Sequence, residues 1–275
     1  MTVGHDSIKK LFSYAAKRGT LAHAYLFCGP EGVGKKTFAL ELAENLNKTK
    51  GFDADFRFID EHSGTKTYSI SIDEMRELKK FLSFRPYVSP RKIVVIDNAH
   101  LMQETAQNSI LKLLEEPSEH SLIILVTHDP NNLLGVIRSR CQPIVFKPIS
   151  SNIIRNILMS RGMTTEDLDF IISTANGRLG HALRLVENGD ISLVKREIKN
   201  LKRIYGAPLS TKFEYAKKLI SEDRLDTALY YWIGYLRGAV RENRGMLRRA
   251  LRLNELISRS SYNKRLAVEN FLIHV

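Results

Sequence analysis

The stretch that decides the fold runs from Lys92 to Cys141 and reads KIVVIDNAHLMQETAQNSILKLLEEPSEHSLIILVTHDPNNLLGVIRSRC. Its first apolar run, Ile93 to Ile96, ends in Asp97 and is followed by an amphipathic segment that stops at Pro117. A second apolar run, Leu122 to Val126, comes next. Apolar runs that alternate with helical patterns predict buried parallel strands with helices on both faces of the sheet.

The segment LFCGPEGVGKKTFALELAENL, residues 26–46, lies upstream and fits the pattern GxxxxGK. Gly29, Gly32 and Gly34 let backbone N–H groups turn inward around a phosphate, and the helix that follows adds its N-terminal dipole. Lys35 is expected to reach the β- and γ-phosphates. A strand before the loop and a helix after it predict a phosphate loop at this place.

Two positions of this site carry unexpected chemistry. The residue after Lys35 should be Ser or Thr, whose hydroxyl binds Mg²⁺, but it is Lys36. Thr37 has a hydroxyl, yet one step along a helix is a rotation of about 100°, so its side chain is expected to point elsewhere. Asp97 ends an apolar run, where an acidic residue can hold the metal's water shell. Asn98 follows it, and a resemblance of this site to AAA+ ATPases implies that a glutamate there would activate the attacking water. The alternative role of Asp97 is to cap the next helix.

The pattern along the chain predicts three domains. Strands and helices alternate in residues 1–149, which predicts an α/β phosphate-loop domain with a parallel sheet. A last strand is expected near Pro143–Pro148, and Asp6 is a candidate cap of the first helix. Residues 150–190 predict a small helical domain, and residues 191–275 predict about five amphipathic helices.

Composition narrows the class of protein. Residues 191–275 hold 18 Lys and Arg against 8 Asp and Glu, a balance of +10, while the whole chain has a net charge of +12. A basic C-terminal third indicates an acidic partner, with an arginine-rich helical bundle as the alternative. Cys28 and Cys141 are too few and too far apart for a zinc site or a disulfide framework. Apolar runs are too short for a membrane span, so a cytoplasmic protein is expected.

The chain closely resembles the clamp-loader branch of the AAA+ ATPases. The resemblance is carried by Leu114–Pro117, which reads LEEP and ends a helix before a strand, and by Ser139–Cys141, which reads SRC. HAYLF near the N-terminus and SYNKRLAVENFL near the C-terminus also resemble that branch, so the similarity spans nearly the whole chain. It implies an AAA+ domain, a helical lid and a helical collar.

Within this branch the unusual site resembles the δ′ (delta-prime) subunits of bacterial DNA polymerase III rather than the ATP-hydrolysing γ/τ subunits. The resemblance implies a non-hydrolysing subunit whose Arg140 acts in trans on a neighbour's nucleotide, as a catalytic arginine finger. Arg138 is expected to pack or to form an ion pair, with a role of the same kind as Arg140 as its alternative. The competing hypotheses are a γ/τ-like ATPase in which Thr37 supplies the hydroxyl, and an AAA+ adaptor outside replication.

Three further positions depart from active relatives. The zinc-binding cysteines that some members carry are absent from residues 47–60, so no zinc is expected. The first sensor position falls at Thr127 or His128. The second sensor arginine is expected near Gly180, which cannot contact phosphate, and whether Arg178 or Arg184 replaces it stays open. No cofactor is required in this interpretation, and residual ATP or ADP binding stays open.

The resemblance also implies partners. These are the γ/τ and δ subunits in a hetero-oligomeric ring, the sliding clamp and primer–template DNA. DNA is expected at the helix that begins near Ile72, through contacts with phosphates that carry no sequence information. A basic face exposed to water is the alternative role of these side chains. The candidate DNA-binding residues are Arg76, Lys79, Lys80 and Arg85.

Overall fold

The protein is described by a computed structural model that covers residues 2–48, 54–60, 70, 72–163, 165–187, 191–238, 240–257 and 263–275. The chain divides into two compact units, Met1–Ile149 and Ser150–Val275. The further division of the second unit into a lid and a collar at residue 190 stays a prediction.

The first unit is built on a five-stranded parallel sheet. Its strand order is β2-β3-β4-β1-β5, so the chain crosses between strands that are not neighbours in sequence. The predicted α/β fold with a parallel sheet is therefore confirmed. The strands are β1 (Ala24–Cys28), β2 (Phe56–Ile59), β3 (Lys92–Ile96), β4 (Ser121–Thr127) and β5 (Gln142–Val145).

Helices cover both faces of this sheet. They are α1 (Asp6–Arg18), α2 (Lys35–Asn47), α3 (Ile72–Ser83), α4 (Glu104–Glu115) and α5 (Gly135–Arg140). Alternate residues of each strand point to opposite faces, and the two sets belong to separate apolar clusters. One cluster joins Leu26 and Val94 to helices α3, α4 and α5, and the other joins Phe27 and Ile93 to helices α1 and α2.

Element boundaries follow the sequence with small differences. Helix α4 ends at Glu115, as expected from Pro117, because a proline disfavours helical geometry in the residue before it. The last strand ends at Val145, earlier than predicted. Asp6 is the first residue of α1 and does not cap it, since the N-cap position is held by His5 at a φ of 58°.

The second unit is helical. Its largest apolar cluster surrounds the buried Trp232, whose indole N–H donates to the carbonyl oxygen of Glu197 at 3.1 Å. The Glu197 carboxylate is 1% exposed and pairs with Arg224, while the Tyr215 hydroxyl donates to it at 3.3 Å. The helices are α6 (Ser151–Met159), α7 (Thr165–Ala175), α8 (Leu179–Glu187), α9 (Ile191–Ile204), α10 (Leu209–Ser221), α11 (Leu225–Gly238), α12 (Val240–Ile257) and α13 (Lys264–Ile273). Among the described helices of the chain, none is both long and apolar enough to cross a membrane.

Gly29 directly follows β1, and its backbone packs closely against the segment that follows β5. Its φ is 142°, a backbone conformation that favours glycine, and an added Cβ would overlap the carbonyl oxygen of Phe146. The carbonyl of Cys28 accepts from the Phe146 N–H at 2.7 Å, so the two segments cannot separate without breaking a backbone hydrogen bond. The phosphate loop therefore begins at a position where only glycine fits.

Gly29→Ala should lower the free energy of unfolding of the first unit by roughly 2–5 kcal/mol, because a strained backbone and an atomic overlap act together. Gly19→Ala is the matched control: Gly19 also has a positive φ, 67°, but an added Cβ there meets nothing within 4 Å. Its cost should be about 1–2 kcal/mol. Hydrogen exchange of the β1 amides measures both costs, and equal costs would show that the overlap with Phe146 is unimportant.

Candidate functional site

The phosphate loop joins β1 to α2 at the carboxyl edge of the sheet. Gly32 and Gly34 have φ values of 78° and 98°, and Gly34 is the N-cap residue of α2. With Gly29, three residues of the loop adopt positive φ, the arrangement by which backbone N–H groups can face one point. The predicted strand–loop–helix context of Gly29, Gly32 and Gly34 is thus present.

Lys35 folds back onto its own loop. Its ammonium donates to the carbonyl oxygens of Gly29 at 2.6 Å and Pro30 at 2.7 Å, and the residue is 6% exposed. Burial lowers the pKa of Lys35 to about 8, and the negative charge of Asp97 offsets only part of this effect. A phosphate in the loop would therefore compete with two carbonyl oxygens for this ammonium.

Lys36 lies between two carboxylates. Its ammonium is 2.7 Å from Asp60 Oδ2, 3.4 Å from Asp97 Oδ2 and 4.6 Å from the centre of the Phe58 ring. Burial alone would lower the pKa of Lys36, but the hydrogen bond to Asp60 and the charges of both carboxylates raise it above its usual value. The side chain that stands in the hydroxyl position is thus held by acidic neighbours.

Asp97 and Asn98 directly follow β3. Asp97 is mostly buried, and burial raises the pKa of its carboxyl although the Lys36 charge and the Asn98 N–H act in the opposite direction. Asn98 has a left-handed φ of 47° and precedes a short 3₁₀ turn, Ala99–Leu101. A carboxamide at this position has no basic group with which to take a proton from water.

The residues around the loop do not fit Mg²⁺ in the usual way. An ammonium has three donors and no acceptor, so Lys36 cannot be a metal ligand. Thr37 carries the nearest hydroxyl in sequence, and its side chain is exposed, away from the buried face of α2. Within the described part of the chain, no three His, Cys, Asp or Glu side chains lie close enough together to hold a metal ion.

A histidine pair lies at the end of β4, at the predicted first sensor position. The rings of His100 and His128 are 4.0 Å apart in an edge-to-face arrangement, and Thr127 Oγ1 is 3.3 Å from His100 Nδ1. Burial and the neighbouring His128 lower the pKa of His100 to about 4, so its ring is neutral at pH 7. The sequence indicated Thr127 and His128, but no pattern in it selected His100.

Arg140 is the last residue of α5 and is held by an ion pair. Its Nη2 is 2.8 Å from Oε1 of Glu115, the first glutamate of the LEEP sequence. Both side chains are more than a third exposed. Arg138, two residues earlier, is exposed and donates to Asn131 Oδ1 at 3.3 Å. The structure thus gives Arg140 an acidic partner within its own chain.

The predicted second sensor lies in the second unit. Gly180 is in the first turn of α8. Arg178 is 8% exposed and donates to the carbonyl oxygens of Ala175 at 3.0 Å and Thr174 at 3.4 Å. Arg184 is exposed. Arg178 therefore satisfies carbonyl groups at the end of α7 within its own unit.

The candidate DNA-binding residues are exposed on and after α3. Arg76, Lys79 and Lys80 are exposed neighbours on α3 at i, i+3 and i+4, whereas Met75 and Leu78 are buried. Arg76 also pairs with Asp73 at 2.9 Å. Arg85 lies in the loop that follows and is exposed as well. The structure brings three of the four onto one helix face.

The two cysteines are free thiols of low reactivity. Burial raises the pKa of Cys141 to about 12 and also raises that of Cys28, so neither forms a thiolate readily at pH 7.

Asp60 is the site residue that the sequence argument missed. It directly follows β2 just as Asp97 directly follows β3. Because parallel neighbouring strands end at the same edge, an aspartate after each of two apolar strands indicates a pair of neighbouring carboxylates. That repeated pattern could have identified Asp60.

Comparisons with known proteins show which family of proteins the chain is similar to. A family profile described as "DNA polymerase III, delta subunit" matches residues 4–54 and 47–150. The tau subunit of DNA polymerase III from Bacillus subtilis is 32% identical over 222 residues, which cover 70% of this chain and 38% of the relative. The gamma subunit from Buchnera aphidicola subsp. Schizaphis graminum is 32% identical over 242 residues, which cover 77% of this chain and 65% of the relative.

The chain therefore spans less than two thirds of the length of these two relatives. Among solved structures, a gamma subunit-related protein from Thermotoga maritima matches with a TM-score of 0.49 and 20% identity. That match covers 96% of this chain and 97% of the other.

The buried charge of Lys35 should make the stability of the first unit depend on pH. Its pKa is lower in the folded chain than in the unfolded chain, so the penalty for burying the charge is complete below pH 8 and disappears as pH rises towards 10.5. Lys35→Met removes this penalty. The stability advantage of the variant is its free energy of unfolding minus that of the native chain. This advantage should be smaller at pH 10.5 than at pH 7 by roughly 3 kcal/mol, since one pKa unit corresponds to about 1.36 kcal/mol.

Urea unfolding followed by circular dichroism at the two pH values measures this difference. Lys79→Met is the matched control, since the Lys79 side chain is exposed on α3 and the same substitution there removes no buried charge. A pH-independent difference for Lys35→Met would mean that the two carbonyl acceptors fully compensate the burial of the ammonium.

Proposed function

The chain belongs to the DNA polymerase III delta subunit family, the clamp-loader family, and we propose that within it the chain is a non-hydrolysing, δ′-like subunit. The family match covers more than half of the chain. The two relatives described above are named gamma and tau, so their names do not favour the δ′ type. The choice of the δ′ type rests on the chemistry of the phosphate loop.

The observation that carries the proposal is the position of Lys36. In a hydrolysing phosphate loop the residue at this place gives a hydroxyl to Mg²⁺, and an acid at the end of another strand of the sheet orients the metal. Here the Lys36 ammonium contacts that acid, Asp97, and Asp60 beside it. Asn98 supplies no base for the attacking water. Metal binding and water activation are thus both weakened in the same site.

Arg140 is the residue through which this chain would contribute to hydrolysis. A guanidinium is planar and permanently charged, so at a neighbour's γ-phosphate it would stabilise the charge that develops during phosphoryl transfer. Its present partner, Glu115, is exposed to water, and exposed ion pairs contribute only about 0–1 kcal/mol. Exchange of Glu115 for a phosphate is therefore energetically easy.

The remaining parts of the proposal follow from the family. The chain would join γ/τ and δ subunits in a ring in the cytoplasm, and the ring would load the sliding clamp onto primer–template DNA. It would need no cofactor or zinc of its own, and Arg76, Lys79, Lys80 and Arg85 would contact DNA phosphates. A rigid subunit that donates an arginine makes turnover at the neighbouring site depend on correct assembly.

The alternative is a γ/τ-like ATPase with an unusual active site. The names of the two sequence relatives favour it. It would require Thr37 to turn its hydroxyl towards the metal and Lys36 to leave both carboxylates. The ion pairs of Lys36 and the amide of Asn98 oppose it, so the δ′-like function is preferred.

Steady-state ATP turnover tests the proposal directly. The isolated chain should show no turnover. In the assembly with its cognate clamp-loader subunits, Arg140→Ala should lower turnover at the neighbouring site by roughly 10³-fold or more, so that site no longer contributes to the activity of the ring. Arg138→Ala is the matched control: it removes an exposed arginine from the same helix and should leave turnover unchanged.

Turnover by the isolated chain that Lys35→Ala abolishes would establish the γ/τ-like alternative. Equal turnover of the Arg140→Ala and native assemblies, with assembly verified by gel filtration, would remove Arg140 from the reaction. The two results are independent, because the first concerns this chain's own site and the second concerns its neighbour's.

The contribution of α3 to DNA binding can be measured through salt dependence. Lys79→Ala together with Lys80→Ala should weaken binding of primer–template DNA by the assembly. The slope of log K against log salt should become shallower by about 0.9 for each duplex phosphate that a lysine no longer neutralises. Lys10→Ala with Lys17→Ala on α1 is the control, with two exposed lysines on a different helix. An unchanged slope in the α3 variant would show that this face does not contact DNA.

A further inference from the structure

A cluster of three charged side chains, Lys36, Asp60 and Asp97, lies beside the phosphate loop. Asp60 and Asp97 follow β2 and β3, which are parallel neighbours with Ile59 opposite Ile96. The two carboxylates are therefore placed side by side at the carboxyl edge of the sheet. Their side chains are only 18% and 12% exposed, so water screens their mutual repulsion poorly.

Two neighbouring, mostly buried carboxylates repel each other unless a cation or a shared proton offsets their charge. Lys36 provides a cation from the first turn of α2, at 2.7 Å from Asp60 and 3.4 Å from Asp97. The Phe58 ring lies 4.6 Å from the same ammonium and adds a cation–π contact. Three different elements, β2, β3 and α2, thus converge on one positive charge.

We propose that the Lys36 ammonium is the resident cation of this site, replacing a divalent metal, and that the loop accepts a phosphate group without Mg²⁺. The fold family implies a metal next to the hydroxyl after Lys35, and the residues present at that place do not suit one. Asp97, the acid that would orient the metal, already has a cation. The inference rests on the proposed function only in treating this loop as a nucleotide site.

The charges of the cluster explain why replacing Lys36 by threonine should allow a divalent metal to bind. The cluster of Lys36, Asp60 and Asp97 contains one positive and two negative charges. With threonine in place of Lys36, the two carboxylates would lose the ammonium that contacts both of them and would face a hydroxyl instead. Hard oxygen ligands of this kind are those that Mg²⁺ and Mn²⁺ prefer. The side chain at position 36 would therefore determine whether the two carboxylates bind the lysine ammonium or a divalent metal from solution.

The experiment compares the native chain with Lys36→Thr and Lys36→Arg. Mn²⁺ titration followed by electron paramagnetic resonance, without nucleotide, should show binding at least tenfold tighter for Lys36→Thr than for the native chain. Lys36→Arg keeps a cation and should behave like the native chain. Adding Asp97→Asn to Lys36→Thr should abolish the gain.

Thermal unfolding shows whether the variants fold and gives a second measure of the same effect. Lys36→Thr should have a lower Tm than the native chain in EDTA, because Asp60 and Asp97 then repel each other, and MgCl₂ should restore it. The Tm of the native chain should be the same in EDTA and in MgCl₂. A folded Lys36→Thr variant with no gain in Mn²⁺ affinity would overturn the proposal.

Phosphate acceptance is tested with ADP. The dissociation constant of the native chain, measured by calorimetry, should agree within about twofold in EDTA and in MgCl₂. A strong dependence on Mg²⁺ would overturn the resident-cation role. A native chain that binds no ADP at millimolar concentration would overturn phosphate acceptance, while the Mn²⁺ titration would still decide the role of Lys36. The Mn²⁺ titration, the thermal unfolding and the ADP titration involve neither ring assembly nor turnover. Each can therefore give a negative result while the ATP-turnover test of the proposed function gives a positive one.

Discussion

The parallel register of the sheet is the constraint from which the site follows. Since all five strands run in one direction, the segments after β1, β2, β3 and β4 leave at the same edge. Those segments begin with Gly29, Asp60, Asp97 and His128, which are distant in sequence and become neighbours only through strand pairing. Polar groups can accumulate there because the central strands are fully buried and leave the edge as the place for charge.

Burial and charge pairing have opposite effects on the pKa values of the groups at this edge, and the larger effect differs between adjacent residues. For Lys35, burial dominates, and the pKa of its ammonium falls to about 8 despite the nearby Asp97 charge. For Lys36, which is less buried and contacts two carboxylates, pairing dominates and raises the pKa. Asp97 shows the opposite balance to its partner, because burial and the repulsion from Asp60 outweigh the attraction of Lys36. The interaction between Lys36 and Asp97 is the same for both partners, so the opposite pKa shifts reflect the deeper burial of Asp97 and the second carboxylate beside Lys36.

Much of the fold was predictable because local rules and burial agree in these segments. The apolar runs are strands, α4 ends at Glu115 just before Pro117, and alternating residues of each strand reach opposite clusters. Contacts between distant side chains were not predictable. The ion pair of Arg140 with Glu115 and the ring contact of His100 with His128 depend on how α4, α5 and β4 pack, which periodicity does not encode.

In the phosphate loop, the sequence predicts the backbone turn but not the directions of the lysine side chains. The pattern GxxxxGK identified the three glycines correctly as a strand-to-helix turn, because backbone conformation at a glycine is a local property. The direction of the two lysine side chains is not local. Lys35 bonds to two carbonyl oxygens of its own loop, and its contact with a phosphate stays a prediction. Lys36 is held by an aspartate 24 residues away.

A phosphate-loop site in which Lys36 replaces the metal suits a subunit that does not change conformation within the proposed ring. An ordinary phosphate loop changes its charge balance when a metal and nucleotide arrive or leave, and the loop and helix must respond to that change. Here the Lys36 ammonium already contacts both carboxylates, so in the proposed site their repulsion is reduced without an external metal. The exposed Arg140–Glu115 pair is the opposite case, since water and a competing anion can reach both groups. A subunit with a compensated site and an available arginine is suited to act on a neighbour while keeping its own conformation constant.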